Sequence, residues 1–203
     1  MRTISFLSCI GFLAAGALYA QEVQPFTFAV GGGFTEPIGT AGRNLDSGWN
    51  AQVTGGYNFN SHFAAMLDFN YNSMGINSTT LSNLGVPGGN VHVMSFTLDP
   101  VVHIVRKGAI GVYLVGGGGL YHRNDELTAP TFGFIPLGFF NAPIAGEEVL
   151  ASYSINKPGF NAGAGVSFGT KWHAKFYAEA RYNRMFTNGP DTDFIPVTFG
   201  VRW

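Results

Sequence analysis

Phe194-Ile195-Pro196-Val197-Thr198-Phe199-Gly200-Val201-Arg202-Trp203 is the stretch whose reading decides the fold. Ile195, Val197, Phe199, Val201 and Trp203 fall at every second position, and Pro196, Thr198, Gly200 and Arg202 lie between them. Successive side chains of a strand point to opposite faces, so one face is apolar and ends in an indole. The other face is small or polar and carries a cation. A soluble sheet turns its apolar face to a core, whereas a membrane-spanning strand turns it to lipid. The rest of the chain decides between them.

Working back from the end, the same alternation recurs seven times. Phe176, Ala178, Ala180 and Tyr182 oppose Tyr177, Glu179, Arg181 and Asn183. Phe160, Ala162, Ala164, Val166 and Phe168 oppose Asn161, Gly163, Gly165, Ser167 and Gly169. A strand with Ile110, Val112, Leu114 and Leu120 is interrupted by Gly116–Gly119, which weaken it but permit sharp coiling. In His92–Val105, Met94, Phe96, Leu98, Val102 and Ile104 are in phase. Pro100 lacks an N–H there and predicts a bulge or a locally opened ladder. Phe63, Ala65, Leu67, Phe69 and Tyr71 form another apolar face, with Asp68 on the polar side. Trp49, Ala51, Val53, Gly55, Tyr57 and Phe59 form the clearest copy, aromatic at both ends. Phe26, Phe28, Val30 and Phe34 complete the set.

Eight strands follow. Their connections alternate in length: 36–47, 74–90, 122–157 and 187–193 are long, while 60–62, 106–108 and 170–174 are short turns. The 122–157 segment, with Pro130, Pro136 and Pro143, reads as the longest irregular region. Alternating short and long connections are the pattern of an outer-membrane barrel, and an even strand number puts both termini on the periplasmic side.

Composition agrees. Only 11 % of the 203 residues are charged, 29 are Gly and 15 % are aromatic, against about 25 % charged and about 7 % Gly in an average soluble domain. No segment after the leader has the run of roughly 20 apolar residues that a membrane helix needs. Residues 1–20 read as a secretory signal peptide: Met1-Arg2, an apolar stretch from Ile4 to Leu18, and cleavage after Ala20, with Ala17 as the alternative. The one cysteine, Cys9, lies in that leader, so no disulfide or thiol nucleophile is expected in the mature chain. Without Arg2, 10 basic residues face 12 acidic ones, a balance that gives no sign of nucleic-acid binding. Residues 21–203 then form one domain, an eight-stranded antiparallel up-and-down transmembrane β-barrel.

On these strands, and above all on Ile195–Trp203, the chain resembles the small eight-stranded outer-membrane barrels of the OmpA/OmpX-like superfamily. It is most similar to the outer membrane protein beta-barrel domain group. The resemblance spans the whole expected mature chain, and Ala178-Glu179-Ala180-Arg181-Tyr182 looks like the family's penultimate strand. It implies that Phe199, Val201 and Trp203 serve as a signal read by the barrel-assembly machinery. Outer-membrane lipid is the other expected partner. Unlike OmpA, the chain is not expected to carry a peptidoglycan-binding domain, and it is expected to be a monomer.

Asp68, Asp99, Glu179, Arg181 and Arg202 are the candidate interior charges. They read as an ion network filling a narrow barrel, with a pore lining as the alternative, since eight strands leave an interior just wide enough for side chains. The five histidines, His62, His92, His103, His122 and His173, show no His-x-x-x-His spacing, so no metal or cofactor is expected. Some barrels of this type modify lipid A with Ser, His and an acid at the external rim. His122, Asp125, Glu126 and Ser152 or Ser154 are the residues that would serve. No His-x-Ser pattern supports that, and a non-enzymatic role is expected. Phe132, Phe134, Phe139 and Phe140 are a candidate external contact; a segment packed on itself or resting in the interface is the alternative. The fold-level rival is a lipocalin-like soluble barrel with apolar side chains inside.

Overall fold

The computed structural model describes residues 24–105, 110–137, 140–169, 174–187, 189 and 191–203, and of 132–137 and 140–145 the backbone alone. The expected leader with Cys9, the 106–108 turn, Phe139, Trp172 and His173 lie outside the described residues. Eight strands are present: β1 (Phe26–Ile38), β2 (Gly48–Asn58), β3 (Phe63–Gly75), β4 (Gly88–Val105), β5 (Ile110–Leu137), β6 (Phe140–Gly169), β7 (Lys175–Met185) and β8 (Thr192–Arg202). Each runs antiparallel to the next, and β8 closes on β1. Val30 pairs with Val201 and Phe34 with Val197 along that seam. Phe28 and Trp203 exchange both backbone hydrogen bonds there, at 2.9 Å each. Closure leaves no sheet edge in the barrel wall.

The faces sort as their alternation dictates. Phe26, Phe28, Phe34, Trp49, Phe69, Phe96, Phe199 and Trp203 are exposed on the outside, while Asp68, Asp99, Glu179 and Arg181 are buried inside. This inside-out distribution rules out the lipocalin-like barrel. Antiparallel order gathers Phe26, Phe59, Phe63, Phe168, Phe176 and Trp203 at the end that holds the termini. Phe34, Trp49, Tyr71, Phe160 and Tyr182 ring the far end. Such paired aromatic rings bound the apolar band of a membrane barrel.

Pro100 opens the ladder without shifting it. β4 pairs with β5 through Leu98↔Gly118 and resumes in the same register at Val101↔Val115; the irregularity comes later, between His103 and Val105. Several glycines have a role that coiling alone does not explain. A Cβ on Gly165 would stand 2.3 Å from the Tyr113 ring, and one on Gly31 would stand 2.5 Å from the Tyr177 hydroxyl. Inward glycines thus make the room that inward tyrosines fill.

Three connections depart from the expected loops. Ala41–Asn44 forms α1 inside the 36–47 connection, and Ser78–Leu84 forms α2 inside 74–90. The Asn77 side chain caps α2 by accepting from the Thr80 N–H at 2.8 Å, and Gly85, at φ 68°, ends it in the left-handed conformation. The two connections are zipped together by a Leu45↔Ile76 bridge and by the Asn77 N–H donating to the Asn44 carbonyl.

The larger correction concerns 122–157. It is not irregular: β5 and β6 stay paired out to Leu137↔Phe140, with one shift at Leu127/Thr128 that leaves Leu150 as the extra residue. Phe132, Phe134 and Phe140 therefore stand on strands of a hairpin rather than in a loop. β4 accompanies β5 only to Gly88↔Thr128. Beyond it, among the described residues, each strand of the ribbon pairs on one side only, so proline is tolerated there wherever its missing N–H turns to the open side.

Candidate functional site

Period two places Tyr177, Glu179, Arg181 and Asn183 of β7 side by side on the inner face, with Asp68 of β3 and Asp99 of β4 reaching in from other staves. Arg181 sits at their meeting point. Its Nη1 donates to Asp99 Oδ2 at 2.6 Å, its Nη2 to Asp68 Oδ2 at 3.3 Å, and its Nε to Glu179 Oε1 at 2.5 Å. The remaining acceptor capacity is met by neutral donors. Gln52 and Thr54 each donate to Asp68 at 2.7 Å. Asn161 donates to Asp99 at 2.9 Å and Thr97 at 3.0 Å. Charges this deep are tolerated only when ringed by partners.

Arg202 joins through tyrosines rather than by direct pairing. Its Nη2 donates to the Tyr113 hydroxyl at 3.1 Å, and that hydroxyl donates to Glu179 Oε2 at 2.8 Å. Its guanidinium lies 4.6 Å from the Tyr113 ring centroid and 5.2 Å from that of Tyr177. Tyr177 in turn donates to Gln52 Oε1 at 3.1 Å. Sequence reasoning put Tyr177 on the polar face and did not single out Tyr113. The signal for Tyr113 was its place between outward Val112 and Leu114.

Apolar side chains lie at both ends of this polar layer. Toward the far end, Met74, Val91, Val93, Tyr121, Met185 and Phe194 pack together and are covered by Ala41 and Leu45 from α1 and its C-terminus. Toward the terminal end, Ala64, Met66, Val101, Tyr113 and Val115 form a second cluster. What lies between can hold fixed charges and orient dipoles.

The residues weighed for catalysis are dispersed. His122 pairs with Asn156 Oδ1 at 2.7 Å. Asp125 is on the opposite face, held by Arg123. Glu126 turns to His92, 3.8 Å away, whose Nδ1 meets the Tyr71 hydroxyl at 2.8 Å. Ser152 donates to Asn124 at 3.2 Å. His62 contacts Ser61, and the His103 ring lies 5.8 Å from that of Tyr113. Among the described residues no three His, Cys, Asp or Glu side chains gather as a metal site. The side chains of Phe132, Phe134, Phe139 and Phe140 lie outside the described residues.

Above the apolar cluster, at the far mouth, a cleft of about 550 Å³ is lined by Arg123, Asp125, Tyr153, Ile155 and Lys157 of the ribbon and by Thr187 beyond β7. Arg123 is fixed there by both Asp125 oxygens, at 2.6 and 2.8 Å, and by Thr192 Oγ1 at 2.8 Å.

Residues 5–203 match the family model described as outer membrane protein beta-barrel domain. Among solved structures, Neisserial surface protein A is similar at a TM-score of 0.58 and 14 % identity, over 87 % of this chain and 95 % of that one. Ail, the attachment invasion locus protein of Yersinia pestis, in complex with the heparin analogue sucrose octasulfate, is similar at a TM-score of 0.52 and 17 % identity, over 89 % of this chain and 100 % of that one. No curated protein matches the chain.

Proposed function

The chain belongs to the outer membrane protein beta-barrel domain family, and from that premise we propose that it is a sealed, non-enzymatic barrel whose β5–β6 ribbon engages an external partner along the free edge of β6. The protein resides in the outer membrane and crosses it as an eight-stranded antiparallel barrel. With both termini periplasmic, the far end and its ribbon face the outside.

One observation carries this reading. β6 pairs with β7 only from Gly159↔Met185 inward, so among the described residues no strand covers that side of β6 farther out. Natural proteins blunt such edges with charge, Pro or a bulge. Here Ala151-Ser152-Tyr153-Ser154-Ile155-Asn156 has no charge, no Gly and no Pro. The extra residue Leu150 bounds it on one side and Lys157-Pro158 on the other. A window of this length accepts one added strand, with backbone hydrogen bonds supplying affinity. A photo-crosslinking residue at Ser154 is expected to give a discrete adduct on intact cells exposed to the partner's source. The same probe at lipid-facing Leu67 should give none, and Ser152→Pro should abolish the Ser154 adduct. An adduct that survives Ser152→Pro argues against strand addition.

The dispersal of Ser, His and acid supports the non-enzymatic reading, because acyl transfer needs them in one hydrogen-bonded line. The two apolar clusters above and below the charged layer oppose a pore. In planar bilayers the purified protein is expected to give no conductance steps; regular steps would overturn the sealed reading.

A further inference from the structure

The charges of the ribbon are compensated near the barrel mouth and uncompensated farther out. Over 122–157 there are two cations, Arg123 and Lys157, and four carboxylates, Asp125, Glu126, Glu147 and Glu148. Arg123 is held by Asp125, and Lys157 is engaged within the protein. Glu126 accepts from Asn124 at 2.6 Å and faces His92. Glu147 and Glu148 stand exposed opposite Pro130 and Ala129 of β5, and neither makes a hydrogen bond or ion pair among the described residues. Adjacent residues of a strand point to opposite faces, so one of these carboxylates lies on each face of the ribbon. Between them and the open window Ala151–Asn156, the side chains of Val149 and Leu150 are 52 % and 53 % exposed.

We propose that the strand added to β6 is a cationic peptide segment, with two consecutive basic residues set against Glu147 and Glu148 and uncharged strand formers set against Ala151–Asn156. The inference rests on strand addition at the β6 edge and names the chemistry of what is added. A strand laid along β6 keeps the same rise of about 3.3 Å per residue, so a segment of about ten residues spans both the glutamates and the window. Its basic pair sends one side chain to each face, as the two carboxylates require. Opposite charges across a strand pair stabilise it and like charges oppose it. A second copy of this chain is therefore disfavoured: two barrels stand upright in one membrane, so their glutamate pairs meet at the same height. An anionic glycan meets the same repulsion. Charge that merely blunts an edge belongs within the exposed run, whereas Glu147 and Glu148 lie beyond Leu150, outside the window they would have to guard.

The test uses the full chain folded in phospholipid nanodiscs, with the photo-crosslinking residue at Ser154, and three pooled libraries of synthetic decapeptides. Each peptide carries six positions randomised among Thr, Val, Ile and Tyr, a two-residue spacer, and a charged or neutral pair at either end. The pair is Lys-Lys in one pool, Gln-Gln in the second and Glu-Glu in the third. The Lys-Lys pool is expected to give about tenfold more adduct than the Glu-Glu pool at low salt, with Gln-Gln between them and the difference shrinking as salt rises. Glu147→Gln combined with Glu148→Gln should bring the three pools to equal labelling while adducts persist, because the edge itself is unchanged. A Lys-Lys preference that survives this double substitution overturns the assignment to these carboxylates. Equal labelling by all pools in the parent chain, abolished by Ser152→Pro, overturns the cationic partner and leaves strand addition standing. Adducts that survive Ser152→Pro overturn strand addition and this inference with it. Adducts only between copies of the chain, or none with any pool, also overturn the cationic partner.

Discussion

Arg181→Ala is expected to lower the stability of the folded barrel by about 3–5 kcal/mol, the usual consequence of removing one partner from a buried ion cluster. Asp68, Asp99 and Glu179 are 2 %, 0 % and 4 % exposed, and the Arg181 guanidinium bonds to all three. Without it three carboxylates face one another with only amides and hydroxyls between them. Arg202 does not substitute, because it reaches Glu179 only through the Tyr113 hydroxyl. The measurement is the guanidinium midpoint of barrel unfolding in detergent micelles, followed by the gel shift of the folded form. A companion variant separates charge from shape. Arg181→Met combined with Asp68→Asn, Asp99→Asn and Glu179→Gln should recover most of the loss, since neutral amides of the same size need no counter-ion. An unchanged midpoint for Arg181→Ala would show that the cluster does not hold the barrel together. A conductance change at constant stability would favour the pore lining instead.

Period-two alternation made the strand faces legible. Every apolar stripe quoted from the sequence lies outside, and Asp68, Glu179 and Arg181 lie inside, because a strand offers only two faces and no register slip can mix them. Which inner residues meet was not legible. Asp68 and Arg181 are 113 positions apart, and their contact depends on barrel closure and stagger rather than on spacing along any strand. The misreading of 122–157 has a clear cause. Proline punctuates a strand that has neighbours on both sides but not one strand of a two-stranded ribbon. Neither helix was legible in the connections: α2 is held by its Asn77 cap and left-handed Gly85, whereas at α1 Thr40 makes no side-chain cap and the four residues are held by burial of Ala41 and by Leu45 just beyond them. Glycine carries two messages, and only one is legible along a single strand. Gly116–Gly119 suggested coiling, whereas the room that Gly165 leaves for Tyr113 appears only once two strands are laid side by side.

Trp203→Ser is expected to reduce the folded protein in the outer membrane by roughly tenfold or more, since an indole offers about 200 Å² and apolar burial is worth about 25 cal/mol per Å². The substitution spares the seam. Both hydrogen bonds between Phe28 and Trp203 run through the backbone, so serine can keep them and any loss belongs to the side chain. That side chain, 48 % exposed, completes the aromatic ring at the end that holds the termini. Two roles predict different results. An interfacial anchor stabilises the barrel wherever it folds, so insertion into cells and spontaneous refolding into phospholipid vesicles should fall by the same factor. The assembly signal that the family resemblance implies acts only where the assembly machinery is present, so the deficit in cells should exceed the deficit in vesicles. Phe199→Ser provides the scale: its backbone also lies along the β8 seam opposite Gly32, but its side chain meets mid-membrane lipid rather than the interface. If Trp203→Ser inserts into cells at the normal level, neither role holds, and closure of β8 on β1 rests on the backbone alone.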